Sequence, residues 1–143
     1  MNTKGFLVAA LFPFPALAEQ CLVVGITDGD TLKLRCREQI TVRLADIDAP
    51  EKGQAFGQRS KEALSDLCFG TMARMDAQSR DRYGRTVARI RCAGTDANAA
   101  MVRQGMAWAY RRYQTDPKFS VFEAEARYRK AGLGAGFHRL RLP

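Results

Sequence analysis

Between residues 21 and 48 apolar side chains alternate with polar or basic ones, Leu32 and Leu34 and then Ile40, Val42 and Leu44, with turn-forming residues around Gly29 and again at 37–39. A period of two marks strands with one buried face, so this stretch is expected to form three antiparallel strands in a meander. The alternation returns at Ala73, Met75 and Ala77 against Arg74, Asp76 and Gln78, and at Ala88, Ile90 and Cys92 against Arg89 and Arg91, adding two strands around a turn at 81–84. Over residues 54–69 the spacing becomes that of an amphipathic helix, through Phe56, Ala63, Leu64, Leu67 and Cys68, with Gly70 suited to the left-handed residue that follows a helix. Residues 96–104 read as a short helix closed by Gly105. A last helix opens at Asp116-Pro117, a cap followed by proline in the first turn, and runs to Ala131 before Gly132; Ser120 with Glu123 is a competing start. Five strands with a helix after the third are compatible with an α+β fold, a five-stranded Greek-key barrel of the OB type with three helices, whose open face binds oligonucleotides. A chain of 143 residues fits one such domain.

The segment 1–18 stands apart from that domain. Lys4 is its only charge, and an apolar run over 6–18 ends in the small-residue triplet Ala16-Leu17-Ala18, so it reads as a secretory signal cleaved after Ala18, leaving 19–143 as the mature domain. The run falls short of the ~20 residues that span a bilayer and is broken by Pro13 and Pro15. A monomer without stable membrane insertion, in the periplasm or the medium, is therefore expected. All four cysteines, Cys21, Cys36, Cys68 and Cys92, follow the signal, and an even count in an exported chain favours two disulfides. There is no CxxC and no Cys/His cluster, which argues against zinc. If 22–35 is a hairpin turning at Asp28-Gly29-Asp30, Cys21 and Cys36 fall opposite each other and Cys68 pairs with Cys92; the other two connectivities stay open. Lys plus Arg outnumber Asp plus Glu by 23 to 15, a charge of +8 with pI near 9.7, as polyanion binders have. His138, the only histidine, lies in a basic tail and reads as solvated surface.

Two runs carry candidate chemistry. In Arg43-Leu44-Ala45-Asp46-Ile47-Asp48-Ala49-Pro50-Glu51 an arginine precedes carboxylates at i and i+2, and a third follows a proline; Asp28-Gly29-Asp30-Thr31 adds two more at a tight turn. Hard oxygen ligands beside an arginine suit a divalent-metal phosphodiesterase, because carboxylates and carbonyls bind the ion while guanidinium pairs with phosphate oxygens. The spacing does not match an EF-hand loop, and DGD alone is more often a simple hydrogen-bonding turn. The second run, Asp81-Arg82-Tyr83-Gly84-Arg85, is by itself an ordinary hairpin loop, but it offers guanidinium groups for phosphate and an aromatic ring for a base. Strict alternation places Arg43 and Asp48 on opposite faces, so a shared site requires the chain to bend near Asp46.

Taken in order, DGDTLKL, RLADIDAPE, DRYGR, NAAMVRQGMAWAY and EAEAR resemble the successive motifs of the staphylococcal nuclease family, over essentially the whole mature chain. The resemblance implies a five-stranded OB barrel with three helices and one Ca2+, hydrolysing DNA and RNA, single strands fastest, to 3′-phosphates. Carried over by position, it implies that Asp30 and Asp48 bind Ca2+ through carboxylates and Ala49 through its carbonyl, that Glu51 is the general base, and that Arg43 and Arg85 clamp the phosphate. Arg82, Tyr83 and Tyr110 or Tyr113 are the implied substrate contacts, while Trp108 reads as core. Departures from the family pattern are a shorter stretch between Glu51 and Phe56-Gly57, and Gly132-Leu133-Gly134 where a tryptophan usually stands beside Gly-Leu. The alternative is a barrel that holds single strands without cutting them, which predicts gaps in the constellation; Asp30, Arg43, Asp48, Glu51 and Arg85 are all filled.

Overall fold

The computed structural model describes Gly5 and residues 19–135; the proposed signal segment, Gly5 apart, and His138 lie outside the described residues. Three strands, β1 (Glu19–Asp28), β2 (Thr31–Arg35) and β3 (Gln39–Leu44), form the expected meander, with Gly29 and Asp30 at the first turn. A short β4 (Ile47–Asp48) leads to α1 (Gly57–Cys68), then to the hairpin of β5 (Met72–Arg80) and β6 (Thr86–Cys92). After β7 (Thr95–Asp96) come α2 (Ala97–Arg103), β8 (Trp108–Ala109), α3 (Lys118–Tyr128) and a 3-10 turn at Gly132–Ala135.

The sheet order is β3-β2-β1-β5-β6-β7, and β6 returns to β3 through the parallel pairs Val42 with Thr86, Arg43 with Val87 and Leu44 with Ala88. That pairing closes five strands into a barrel of the OB type, which leaves few sheet edges to guard. Inward positions of the alternating strands, Val23, Leu32, Leu34, Val42, Leu44 and Ile90, are buried, and Leu64 of α1, Met101 and Val102 of α2 and Phe119 of α3 join them. No helix among the described residues is long and apolar enough to cross a membrane.

Both disulfides tie barrel to periphery. Cys21–Cys36 links β1 to the residue after β2, and Cys68–Cys92 links the end of α1 to the end of β6, with Cα separations of 4.6 and 5.1 Å. Local chemistry sets where the helices begin. The helix expected from residue 54 starts at Gly57, because Phe56 takes a left-handed backbone (φ 63°) that interrupts it. At α3 the Asp116 carboxylate accepts the Lys118 N–H, so Asp116-Pro117 is the operative start. Ser120 instead donates to Gln114 and Glu123 pairs with Arg111 and Arg127, so no capping box forms there. Trp108, expected in the core, is half-buried opposite Asp48 on the β4–β8 ribbon.

Candidate active site

The centre of the site lies where β3 leaves the barrel. After Leu44 the ladder stops, Asp46 adopts a left-handed backbone (φ 67°), and the chain re-enters extended structure as Ile47–Asp48. This is the bend that alternation required. It brings Asp48 back beside the residue it should have faced away from, with Arg43 Nη2 at 3.4 Å from Asp48 Oδ1 and 3.8 Å from Asp30 Oδ2.

The bend is held from three directions. The Asp46 side chain is fully buried, and its Oδ1 accepts from the Thr115 hydroxyl at 2.9 Å and from the Thr115 N–H. Its carbonyl accepts the Tyr110 N–H at 2.8 Å, which brings the Tyr110 ring under the Arg43 guanidinium, 4.9 Å away. Asn98 of α2, also fully buried, accepts from the Ile90 N–H (3.0 Å) and donates to the carbonyls of Ala45 (2.8 Å) and Ala88 (3.1 Å). Its carboxamide continues the β6 ladder where β3 has turned away.

Asp30, at the corner of the β1–β2 turn, is only 8% exposed. Its Oδ2 accepts the Ala49 N–H at 2.9 Å and its Oδ1 accepts the Thr31 hydroxyl at 2.8 Å, so the turn is pinned to the chain just past the bend. Gly29 is required there, since a Cβ would run into Ser60 of α1 and Ala49. Burial, the Asp30 carboxylate and a hydrogen bond that the protonated group donates to it push the Asp48 carboxyl up to about 6, against the opposing pull of Arg43. One arginine thus serves two carboxylates, an arrangement that has room for a further cation.

Glu51 lies three residues past Asp48 on an exposed turn, its N–H bonded to Gln54 Oε1 and its carbonyl to the Gln54 N–H. Its carboxylate makes no hydrogen bond among the described residues. The β5–β6 turn holds Arg85, whose Nε donates to Asp81 Oδ2 at 2.6 Å, leaving both Nη groups for another anion. Although burial works against it, the hydrogen bonds from Arg85 and Tyr83 hold the Asp81 carboxyl below the usual range. Parallel register puts Arg85 on the same outer face as Arg43, with Cα atoms about 8 Å apart by strand spacing. Tyr83 is 69% exposed, its ring beneath Arg85 (5.4 Å) and Arg82 (4.9 Å), and the Arg82 Nη2 donates to its hydroxyl. Tyr113 meets Tyr110 edge-on at 5.0 Å and is itself exposed.

The structure therefore gathers Asp30, Arg43, Asp48, Ala49 and Tyr110 at one point, and sets Glu51, Arg82, Tyr83, Arg85 and Tyr113 on flanking turns. Sequence reasoning missed Asn98 and Thr115, which hold the bend without touching its carboxylate pair. For Asn98 there was a signal: a carboxamide among Ala97, Met101 and Val102, on the apolar side of a short helix. Thr115 offers none, being a lone hydroxyl in a loop.

A closed OB barrel with a carboxylate pair bridged by arginine at a strand bend, beside a second arginine on a hairpin, is the class of a phosphodiester-cleaving domain. The chain belongs to the staphylococcal nuclease family and is a nuclease: the family profile described as "Staphylococcal nuclease homologue" matches residues 41–135. It is 43% identical over 143 residues to an uncharacterized endonuclease of Haemophilus influenzae, covering 94% of this chain and 80% of that one. Over 123 residues it is 47% identical to the micrococcal nuclease of Shigella flexneri (78% and 71% covered), and over 151 residues 43% identical to protein ParB of Escherichia coli (96% and 85%).

Proposed function

We propose that this is an exported, Ca2+-dependent nuclease that hydrolyses DNA and RNA, single strands in preference, and leaves 3′-phosphates. The observation that carries the proposal is the juxtaposition at the bend: two carboxylates within 4 Å of one guanidinium, one of them pushed up to about 6 by burial and by the other. Asp30, Asp48 and the Ala49 carbonyl would hold the ion, a donor set of hard oxygens that suits Ca2+. When bound, the ion supplies positive charge to a phosphate oxygen.

Arg43 and the free Nη groups of Arg85 would bind the remaining phosphate oxygens from one face, and their fixed charge counts most as phosphorus becomes five-coordinate. Glu51, whose carboxylate makes no hydrogen bond among the described residues, takes a proton from the attacking water. The water oxygen bonds to phosphorus, the bond from phosphorus to the 5′-oxygen breaks, and that oxygen leaves with a proton from solvent as a 5′-hydroxyl. Tyr83 and Arg82 on one flank, with Tyr110 and Tyr113 on the other, would receive the sugar and base. Paired cysteines favour an oxidising compartment, which agrees with export.

The test is hydrolysis of single-stranded DNA by the chain from Glu19 with Ca2+, with Mg2+ and with chelator, beside Glu51→Gln, with product ends mapped. Ca2+-dependent cleavage to 3′-phosphates that falls by orders of magnitude in the variant is expected. Binding with no metal-dependent cleavage would make this a barrel that only holds the strand.

A further inference from the structure

Several cations among the described residues are engaged in ion pairs: Arg43, Arg85, Arg89, Arg111 and Arg127. Lys33 and Arg35 on β2, and Arg37 just beyond it, are exposed, and none makes a side-chain hydrogen bond, ion pair or ring contact among the described residues. Leu32 and Leu34 point into the core, so Lys33 and Arg35 stand together on the outer face, about 7 Å apart along the strand.

Register places this row in relation to the site. Lys33 pairs with Thr41 and Arg35 with Gln39 across β2–β3, and Thr41 lies two residues before Arg43 on the same face. Continuing the parallel β3–β6 register by one residue sets Arg85 level with Thr41. Lys33, Thr41 and Arg85 therefore form one row across three strands, with Lys33 and Arg85 about 10 Å apart. Both cross-strand neighbours of Lys33 on this face are small. Thr41 is one; the other is Gly25, where even an added Cβ would only touch the Lys33 stem at 3.6 Å. The floor between the cations is low, and the carboxylates nearest in sequence are Glu38, in the turn after Arg37, and Asp28 and Asp30, at the turn before β2.

Two other exposed cations of the sheet lack this continuity. Arg74 and Arg91 also lie on an outer face, but along β6 they are separated from Arg85 by Arg89, which is packed over the Phe119 ring at 4.7 Å and bonded to Asp96.

We infer that Lys33, Arg35 and Arg37 form a track for the phosphate backbone of a single strand, leading across Thr41 from the Arg43–Arg85 pair. The inference rests on the nuclease reading and adds to it where the uncleaved part of a long substrate lies. The track reads charge and not sequence, so it raises affinity for long strands of any base composition.

The experiment measures binding, in chelator, of a single-stranded oligonucleotide of about 16 nucleotides, the upper site size of an OB fold. Wild type is compared with the triple variant Lys33→Gln, Arg35→Gln, Arg37→Gln and with a charge-matched control, Arg74→Gln, Arg91→Gln, Lys130→Gln, over a range of salt. Loss of three phosphate contacts should lower the slope of log affinity against log salt by about 2 and weaken binding tenfold or more near 0.1 M salt, with the control much closer to wild type. An unchanged slope in the first triple, or equal losses in both, would overturn the track. Cleavage of a dinucleotide by wild type with Ca2+ reports on the nuclease reading separately, and its failure would leave the binding comparison intact.

Discussion

Asn98→Leu is the substitution that most directly tests how the bend is held. Asn98 makes three hydrogen bonds in the interior, with the Ile90 N–H and the carbonyls of Ala45 and Ala88. Ala88 O would keep its second partner, the Ala45 N–H at 2.8 Å. Ile90 N and Ala45 O would be left unpaired away from water, and each orphan costs about 1–3 kcal/mol. The expected loss is therefore about 4 kcal/mol, a large part of the ~5–15 kcal/mol that holds a domain together. In urea, with the disulfides intact and chelator present, this corresponds to a midpoint lower by about 2 M at an unchanged slope. Asn98→Asp separates geometry from volume: it keeps the acceptor for Ile90 but turns an acceptor toward two carbonyls, so it should lose at least as much. Because the Ala45 carbonyl is released two residues before Ile47, affinity for the proposed Ca2+ ion should also fall at temperatures where both proteins are folded. A midpoint shift below about 0.5 M in Asn98→Leu would mean that the ladder ends safely without the carboxamide, and the account of the bend would be wrong.

Three further outcomes follow from the same geometry. Because the folded-state carboxyl of Asp48 is raised from 3.8 to about 6, its contribution favours the fold below pH 4 and is lost as pH rises through 6; in chelator, thermal scans should show Asp48→Asn gaining on wild type between pH 5 and 7.5, and no gain would remove the carboxylate repulsion. A Cβ on Gly57 would strike the Glu51 carbonyl, so Gly57→Ala should shift the Glu51 turn and lower kcat more than it raises KM, whereas equal changes in both would place Glu51 outside the chemistry. Disulfides spaced 15 and 24 residues apart each contribute about 3 kcal/mol, so reduction should bring the urea midpoint down steeply, and a midpoint insensitive to reductant would show the barrel to be self-sufficient.

The strands were legible because alternation in a half-buried sheet is written in every second residue, and Leu32, Leu34, Val42 and Leu44 all face inward as their spacing requires. Helix ends were legible where a cap declares them, as Asp96 does by accepting the Ala99 N–H. Phe56 was not, because its residue type does not announce a positive φ; Asp46 belongs to a type that visits the left-handed region more readily, but only tertiary contacts single it out among the aspartates of this chain. The site residues were visible as chemistry, and alternation even required a bend between Arg43 and Asp48. What makes the bend lay at long range in the chain: Thr115 reaches Asp46 across 69 residues and Asn98 reaches Ala45 across 53, separations for which local pattern has no signal.

The bend also explains an otherwise costly feature of the interior. Arg89 sits among three carboxylates, with Asp96 bonded to its Nη2 and Asp46 and Asp116 at 3.7 and 3.9 Å, while its Nε and Asp46 Oδ2 are buried without a hydrogen bond among the described residues. Desolvating such a cluster is poor economy if stability alone mattered, since apolar residues of similar volume often do as well. What the cluster does is connect. Asp46 is the bend, Asp96 caps α2, and Asp116 opens α3, so one guanidinium fixes both helices against the point where β3 leaves the barrel. A catalytic constellation tolerates little play, and the one proposed for this chain depends on a two-residue strand beyond a strained residue. Charged groups that fit in a single arrangement hold that segment to one geometry, where a greasy contact would allow several.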